Sequence, residues 1–265
     1  MDRITQTFAA ARDKGRACFI SYLCAGDPDF ETSYQACRKL TELGVDVLEL
    51  GMPFSDPLAD GNTNQLAAQR SLESGMNQAK VFELIRKIRA ISEVPIVLYT
   101  YYNLVYSQGV EPYLKMAKDA GVDGLLTLDL PPEEAADVID SCRKIDLKNI
   151  FLVAPTTPPH RIELISKSAT GFIYYLSVEG VTGERVRLAD NIKEAVANIK
   201  KYTELPVAVG LGISTADQVR DVASSADGVI VGSALVNCIA SNPDKPELIL
   251  NRLSNKLSEL MGGLV

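Results

Sequence analysis

The sequence predicts an α/β protein in which eight parallel strands alternate with helices and close into one (β/α)8 barrel. Three observations carry this expectation. Apolar runs of strand length recur eight times, separated by segments with helical periodicity. The runs are nearly continuous in Val, Ile, Leu and Phe, the pattern of parallel strands covered by helices. The junctions also echo one another: LGVDVLEL, AGVDGLLTL and SADGVIV each put a small residue and Asp before a strand, while EVPIVL and ELPVAV share another approach. Eight units without a linker favour a TIM barrel over a doubly wound sheet and make residues 1–265 a single domain.

Residues 2–14 read as an amphipathic helix with Ile4, Phe8 and Ala11 on one face, stopped by Gly15 and additional to the barrel. The first strand, 17–24, ends at the turn Ala25-Gly26-Asp27-Pro28; helix 30–43 follows, capped by Gly44, and leads to strand 45–50. Helices 63–73 and 78–91 precede strand 95–100, helix 111–120 precedes strand 124–128, and helix 132–145 precedes strand 149–154. Helix 159–168, strand 171–177, helix 189–201, strand 206–212, helix 215–223 and strand 228–233 continue the pattern. A short extra helix at 234–240 and a last one at 244–261 close the chain. Strand starts near 18, 46, 95, 123, 149, 171, 206 and 228 make the second and sixth units the longest, so two long loops lie on the same face.

With 265 residues and 46% hydrophobic content the chain can bury a large core. A net charge of −7 and a pI near 4.9 argue against nucleic acid and anionic membranes as partners. The longest apolar runs are far below the roughly 18 residues a membrane span requires. Five dispersed cysteines without a CxxC, and no apolar signal region, point to a reducing cytoplasm. The single histidine, His160, lies in a Pro-Pro-His-Arg stretch expected at the surface. A zinc site of three imidazoles is therefore excluded, and no metal is expected.

Chemistry must then come from carboxylates, tyrosines and backbone. Glu49 sits inside the apolar run Val47-Leu48-Glu49-Leu50, where an uncompensated charge is costly, and no Arg or Lys occurs between Lys39 and Arg70. Gly51, Pro53 and Pro57 make 52–61 a loop, and it carries Asp56 and Asp60. A buried acid beside a solvated loop acid suits proton transfer, because burial raises the pKa of the first. Glu49, Tyr101, Asn103, Asp129, Tyr174 and Gly212 all fall at or just past C-terminal strand ends, where barrels keep their reactive groups. Gly210-Leu211-Gly212 and Gly232-Ser233 each run into a helix start, a setting for a phosphate. The loop 177–188, with two glycines and Thr182, reads as a lid.

LELGMPFSDPLADG, AGDP at 25–28, GVTG at 180–183, GLGIS and VGSAL together resemble the tryptophan synthase alpha subunit family, in order and spacing, over essentially the whole chain. The resemblance implies a lyase that splits indole-3-glycerol phosphate into indole and glyceraldehyde 3-phosphate by a retro-aldol step, without metal or cofactor. It implies a pyridoxal-phosphate beta subunit as partner in an αββα assembly, using the indole for tryptophan. By position, Glu49 and Asp60 match the catalytic acids and Tyr174 the tyrosine near Glu49. Tyr22, Thr100, Tyr101, Leu128 and Thr182 match pocket positions, and Gly183, Gly212, Gly232 and Ser233 the phosphate binders. Pro53, Asp56 and Asn103 would face the partner.

The chain departs from the family pattern at Asn62, Ser21, Cys24, Leu128, Tyr99, Thr100 and Glu179. Leu128 and Thr100 would shrink or wet the indole pocket, and Glu179 would repel the phosphate. A second reading follows: a weakened barrel kept mainly as an allosteric activator of the beta subunit.

Overall fold

The structure, a computed structural model, describes residues 2–177, 185–210 and 212–264. Eight strands, β1 (Cys18–Cys24), β2 (Val47–Gly51), β3 (Ile96–Thr100), β4 (Gly124–Thr127), β5 (Lys148–Val153), β6 (Ile173–Leu176), β7 (Val207–Gly210) and β8 (Gly228–Val231), form a closed barrel in sequence order. Every pairing is parallel, and β8 closes on β1 through Cys18↔Gly228 and Ile20↔Ile230. The helices are α1 (Arg3–Asp13), α2 (Phe30–Glu42), α3 (Asn62–Glu73), α4 (Gln78–Arg89), α5 (Tyr102–Tyr106) and α6 (Val110–Ala120), followed by α7 (Ala136–Lys144), α8 (Pro159–Ser168), α9 (Arg185–Ile199), α10 (Ala216–Ala223), α11 (Ser233–Ala240) and α12 (Pro246–Met261). Among the described residues no helix is long and apolar enough to cross a membrane.

Local chemistry starts and stops these helices. Asp2, Asp29 and Asn77 each accept a hydrogen bond from the N–H three residues on, and Thr215 and Gln218 make a reciprocal capping box on α10. Gly121 ends α6 in the left-handed conformation, at φ 106°. The structure differs from expectation in two places. A short helix, α5, follows β3 directly where the sequence reads as loop, its first N–H held by Asp129 at 2.7 Å. The segment after β4 makes a tight turn at Pro131 and Pro132 before α7 begins at Ala136, because Glu134 N–H is taken by the Pro131 carbonyl.

Strand side chains alternate between two apolar layers. Phe19, Leu23, Leu48, Leu50, Ile96, Leu98 and Leu125 face the helices. Cys18, Ile20, Val47, Val97, Leu126, Ile150, Phe172, Ala208 and Ile230 fill the barrel, and Ile4, Phe8 and Ala11 of α1 pack into the same cluster. The additional N-terminal helix is thus a plug for one end of the barrel, with Phe8 against Phe172 at 5.4 Å.

That end is also latched by charge. Asp123, just before β4 and almost fully buried, accepts from Arg3 at 3.0 Å, Arg89 at 2.7 Å and the Ile96 N–H at 2.9 Å. Arg89 donates in addition to the carbonyls of Ser92, Val94 and Gly121. One guanidinium therefore fastens α4, the approach to β3 and the start of β4. Replacing Arg89 by Met leaves a buried carboxylate and several carbonyls short of a donor, and is expected to lower stability by about 3 kcal/mol. Urea unfolding of the two proteins measures it, and a loss within about 0.5 kcal/mol would mean the latch is ornamental.

Candidate active site

At the opposite, C-terminal end of the barrel the strand alternation turns Glu49 inward from β2, beside Tyr22 of β1 and Val97 of β3. Glu49 is 1% exposed, and among the described residues neither carboxyl oxygen has a hydrogen-bond partner. Burial, and secondly the charge of nearby Asp60, raise its pKa to about 8. Glu49 is therefore protonated at neutral pH, with a proton to give and no neighbour holding it.

Asp60 is brought to this point by the loop after β2. The Tyr101 hydroxyl accepts from Ala59 N–H at 3.1 Å and donates to Asp60 Oδ2 at 2.7 Å, while the Tyr99 hydroxyl donates to Asp60 Oδ1 at 2.6 Å. Phe54 packs on the Tyr101 ring at 5.2 Å, so the loop is drawn onto the end of β3 by apolar contact as well. Gln65 Nε2 donates to the Asp60 carbonyl at 2.8 Å, tying the same residue to α3.

Two glycines make room for the aromatic wall. A Cβ on Gly51 would collide with the Tyr22 hydroxyl, and one on Gly210 would stand 2.9 Å from the Tyr174 hydroxyl. Tyr22 meets Tyr99 edge to face, with ring centroids 5.0 Å apart. Burial, followed by the Glu49 and Asp60 charges, pushes the Tyr174 pKa up, so its phenol stays protonated. Tyr99, Leu128, Leu152 and Leu176 lie over the interior apolar cluster and form the floor and sides of the pocket.

The structure brings together Glu49, Asp60, Tyr22, Tyr101, Tyr174 and Leu128 from the expected set. Thr100 is a correction. As the next residue along β3 from inward-facing Tyr99 it points the other way, fully buried, with its hydroxyl 3.4 Å from that of Tyr113 in α6. It packs the helix layer and cannot touch a ligand in the mouth. Tyr99 holds the inward position, and its bond to Asp60 escaped the sequence reading.

Gly212 follows β7 at φ 68°, Gly232 is the N-cap of α11 and Ser233 its first helical residue, so two helix starts flank the mouth beside β1. Thr182 and Gly183 lie outside the described residues. Asp56 and Asn103 are exposed on the same face, and Leu58 at the loop tip is 90% exposed. Pro53 is buried within the chain, set back from the surface on which Asp56 and Asn103 are exposed. His160 is exposed in the first turn of α8. Among the described residues no group of three or more His, Cys, Asp or Glu is placed to hold a metal.

A neutral buried acid opposite a hydrogen-bonded aspartate, in a barrel mouth flanked by helix starts that suit an anion, defines an acid–base enzyme of the phosphate-ester barrel class. Comparison with known proteins narrows the class. The chain belongs to the tryptophan synthase alpha chain family, whose sequence profile matches residues 8–263, and is accordingly a lyase. It is 60% identical over 263 residues to the tryptophan synthase alpha chain of Opitutus terrae, with 99% of each chain covered. To that of Methanothermobacter thermautotrophicus it is 46% identical over 236 residues, covering 89% of this chain and 87% of the other. The alpha subunit structure from Legionella pneumophila superposes with a TM-score of 0.91 at 34% identity, covering 100% of this chain and 98% of that one. An aminoacrylate-bound tryptophan synthase from M. tuberculosis gives 0.89 at 34% identity, covering 100% of both chains.

The raised pKa of Glu49 also acts on stability. Below about pH 4.5 the carboxyl is neutral in both folded and unfolded chains; from there to about pH 8 only the unfolded chain ionises it, so stability falls with rising pH. At roughly 1.4 kcal/mol per unit, the full penalty above pH 8 is on the order of a few kcal/mol. Glu49→Gln is neutral throughout and is expected to unfold at higher urea than the parent at about pH 8.5, with the gap closing toward pH 5. A gap that does not change with pH would show that Glu49 is not held protonated.

Proposed function

We propose that this chain cleaves indole-3-glycerol phosphate to indole and D-glyceraldehyde 3-phosphate, with Glu49 as acid and base and Asp60 as the acceptor for the indole N–H. Asp60 stabilises the positive charge that develops on the ring as it tautomerises. Protonated Glu49 delivers its proton to indole C3. The resulting carboxylate takes the proton of the glycerol hydroxyl beside the breaking bond; the C–C electron pair returns to the ring, an aldehyde forms, and Glu49 ends protonated as it began. The observation that supports these roles is the neutral, unpartnered Glu49 carboxyl next to a charged, hydrogen-bonded Asp60.

Tyr174 stands close enough to Glu49 to orient it, and Tyr22 and Leu128 to enclose the ring. The phosphate falls to the backbone N–H groups at Gly212, Gly232 and Ser233, joined by Gly183, with Thr182 closing on Asp60. The chain's own step needs no cofactor; in this family pyridoxal phosphate belongs to the beta subunit. Exposed Asp56, Asn103 and Leu58 around the mouth support a beta-subunit docking face there, in an αββα assembly that would hand indole on. A Pyrococcus furiosus relative, with a TM-score of 0.84 at 38% identity, is itself part of a tryptophan synthase complex. Five free cysteines, four of them buried, fit a reducing cytoplasm.

A weakened barrel retained as an activator is the poorer reading. Thr100 does not reach the pocket it was expected to wet, and Tyr99 engages Asp60 instead of merely filling space. The test is indole release from indole-3-glycerol phosphate in the presence of the cognate beta subunit. Glu49→Gln and Asp60→Asn are each expected to lower kcat by at least about 100-fold. Release unaltered by either change would overturn the assignment.

The same roles predict a pH profile. In the free protein kcat/KM should decline about tenfold per pH unit above about pH 8, as Glu49 loses the proton it must donate. A profile flat through pH 9.5 would remove Glu49 as the acid.

A further inference from the structure

We infer that Tyr99 is a positioning residue for the lyase step, setting which oxygen of Asp60 meets the substrate. This rests on the role proposed for Asp60 and adds a group to it. The two carboxylate oxygens are not equivalent. Oδ1 accepts from Tyr99 at 2.6 Å and has Asn64 Nδ2 at 3.4 Å, whereas Oδ2, among the described residues, accepts from Tyr101 at 2.7 Å. A carboxylate oxygen has about two lone-pair directions. Tyr99 gives Oδ1 its one short bond while Asn64 crowds the other side without a firm bond, and among the described residues Oδ2 has the freer direction for the indole N–H.

Tyr99 lies in β3 and Tyr101 just past its end, at the N-cap of α5, whereas Asp60 rides on a loop. Two phenols on opposite oxygens fix both the place of the carboxylate and its rotation about Cβ–Cγ. Tyr101 alone would leave that rotation to Asn64, which is too distant for a firm bond. Tyr99 is itself held, edge-on against Tyr22, whose backbone neighbour in the sheet is Glu49. The chain Glu49, Tyr22, Tyr99, Asp60 thus sets the spacing of the two acids through packed aromatic rings. A buried tyrosine hydroxyl seeks any acceptor; here the acceptor is the reacting aspartate, and the pairing recurs on its other oxygen.

Tyr99→Phe keeps the ring and its packing on Tyr22 and removes only the donor to Oδ1. The expected result is a kcat for indole release about tenfold lower with KM within about twofold, and an unfolding midpoint near that of the parent. In single-turnover measurements, Tyr99→Phe added to Asp60→Asn should slow the residual reaction by less than about twofold, because the effect passes through the carboxylate. Full kcat in Tyr99→Phe, or a raised KM at unchanged kcat, would overturn the inference and leave Tyr99 as a pocket wall. So would a further tenfold loss in the Asp60→Asn background. If Asp60→Asn alone retained full activity, the role of Asp60 would fall first, and that is read independently of Tyr99.

Discussion

A carboxyl group buried in the barrel with no hydrogen-bond partner among the described residues is the constraint from which the rest of the site follows. Removing a carboxylate from water without compensation is so unfavourable that the group keeps its proton instead. Glu49 does so, and the negative Asp60 nearby reinforces the effect. Everything around it preserves that condition. Gly51 and Gly210 let tyrosines close in where larger residues would hold the wall open, and Val97 and the interior cluster seal it from below. Proton donation at neutral pH is the chemical return on a position that weakens the fold.

The barrel separates the requirements of stability from those of chemistry. Its N-terminal end is plugged by α1 and latched by Asp123 with two arginines, an arrangement that has no need to open. At its C-terminal end polar groups are left partly unmet and loops are long. A carboxyl as unfavourably placed as Glu49 is tolerable because the strain is local, while the apolar layers and the latch lie on other parts of the same strands.

Much of this was legible in the chain itself, for physical reasons that differ from feature to feature. The strands could be read because parallel strands covered by helices must be apolar throughout, and Glu49 stood out because it violates that rule. Asp60 could be read as a loop acid from the prolines and glycines around it. Thr100 was misread because alternation decides sidedness residue by residue, and a one-residue difference sends a side chain to the other layer. The bond from Tyr99 to Asp60 joins residues 39 apart on different elements, and depends on the path of a loop that composition does not dictate. Helix α5 was hidden because its start is stabilised by Asp129 from a neighbouring strand end and not by a cap of its own.

The tyrosines give the two acids their different characters. Four phenols, those of Tyr22, Tyr99, Tyr101 and Tyr174, converge on the mouth, yet only Tyr99 and Tyr101 donate to a carboxyl, and both choose Asp60. Had one of them turned to Glu49, it would have stabilised the ionised form and drawn the pKa back toward the ordinary range. Hydrogen bonds given to the loop acid and withheld from the strand acid thus act in one direction. They fix Asp60 as an acceptor of defined geometry and leave Glu49 its proton. A phenol suits this division, because burial pushes its own pKa up and it remains a donor across the working range. The asymmetry between two carboxyls of the same chemical type is therefore written in where the hydroxyls of Tyr99 and Tyr101 point.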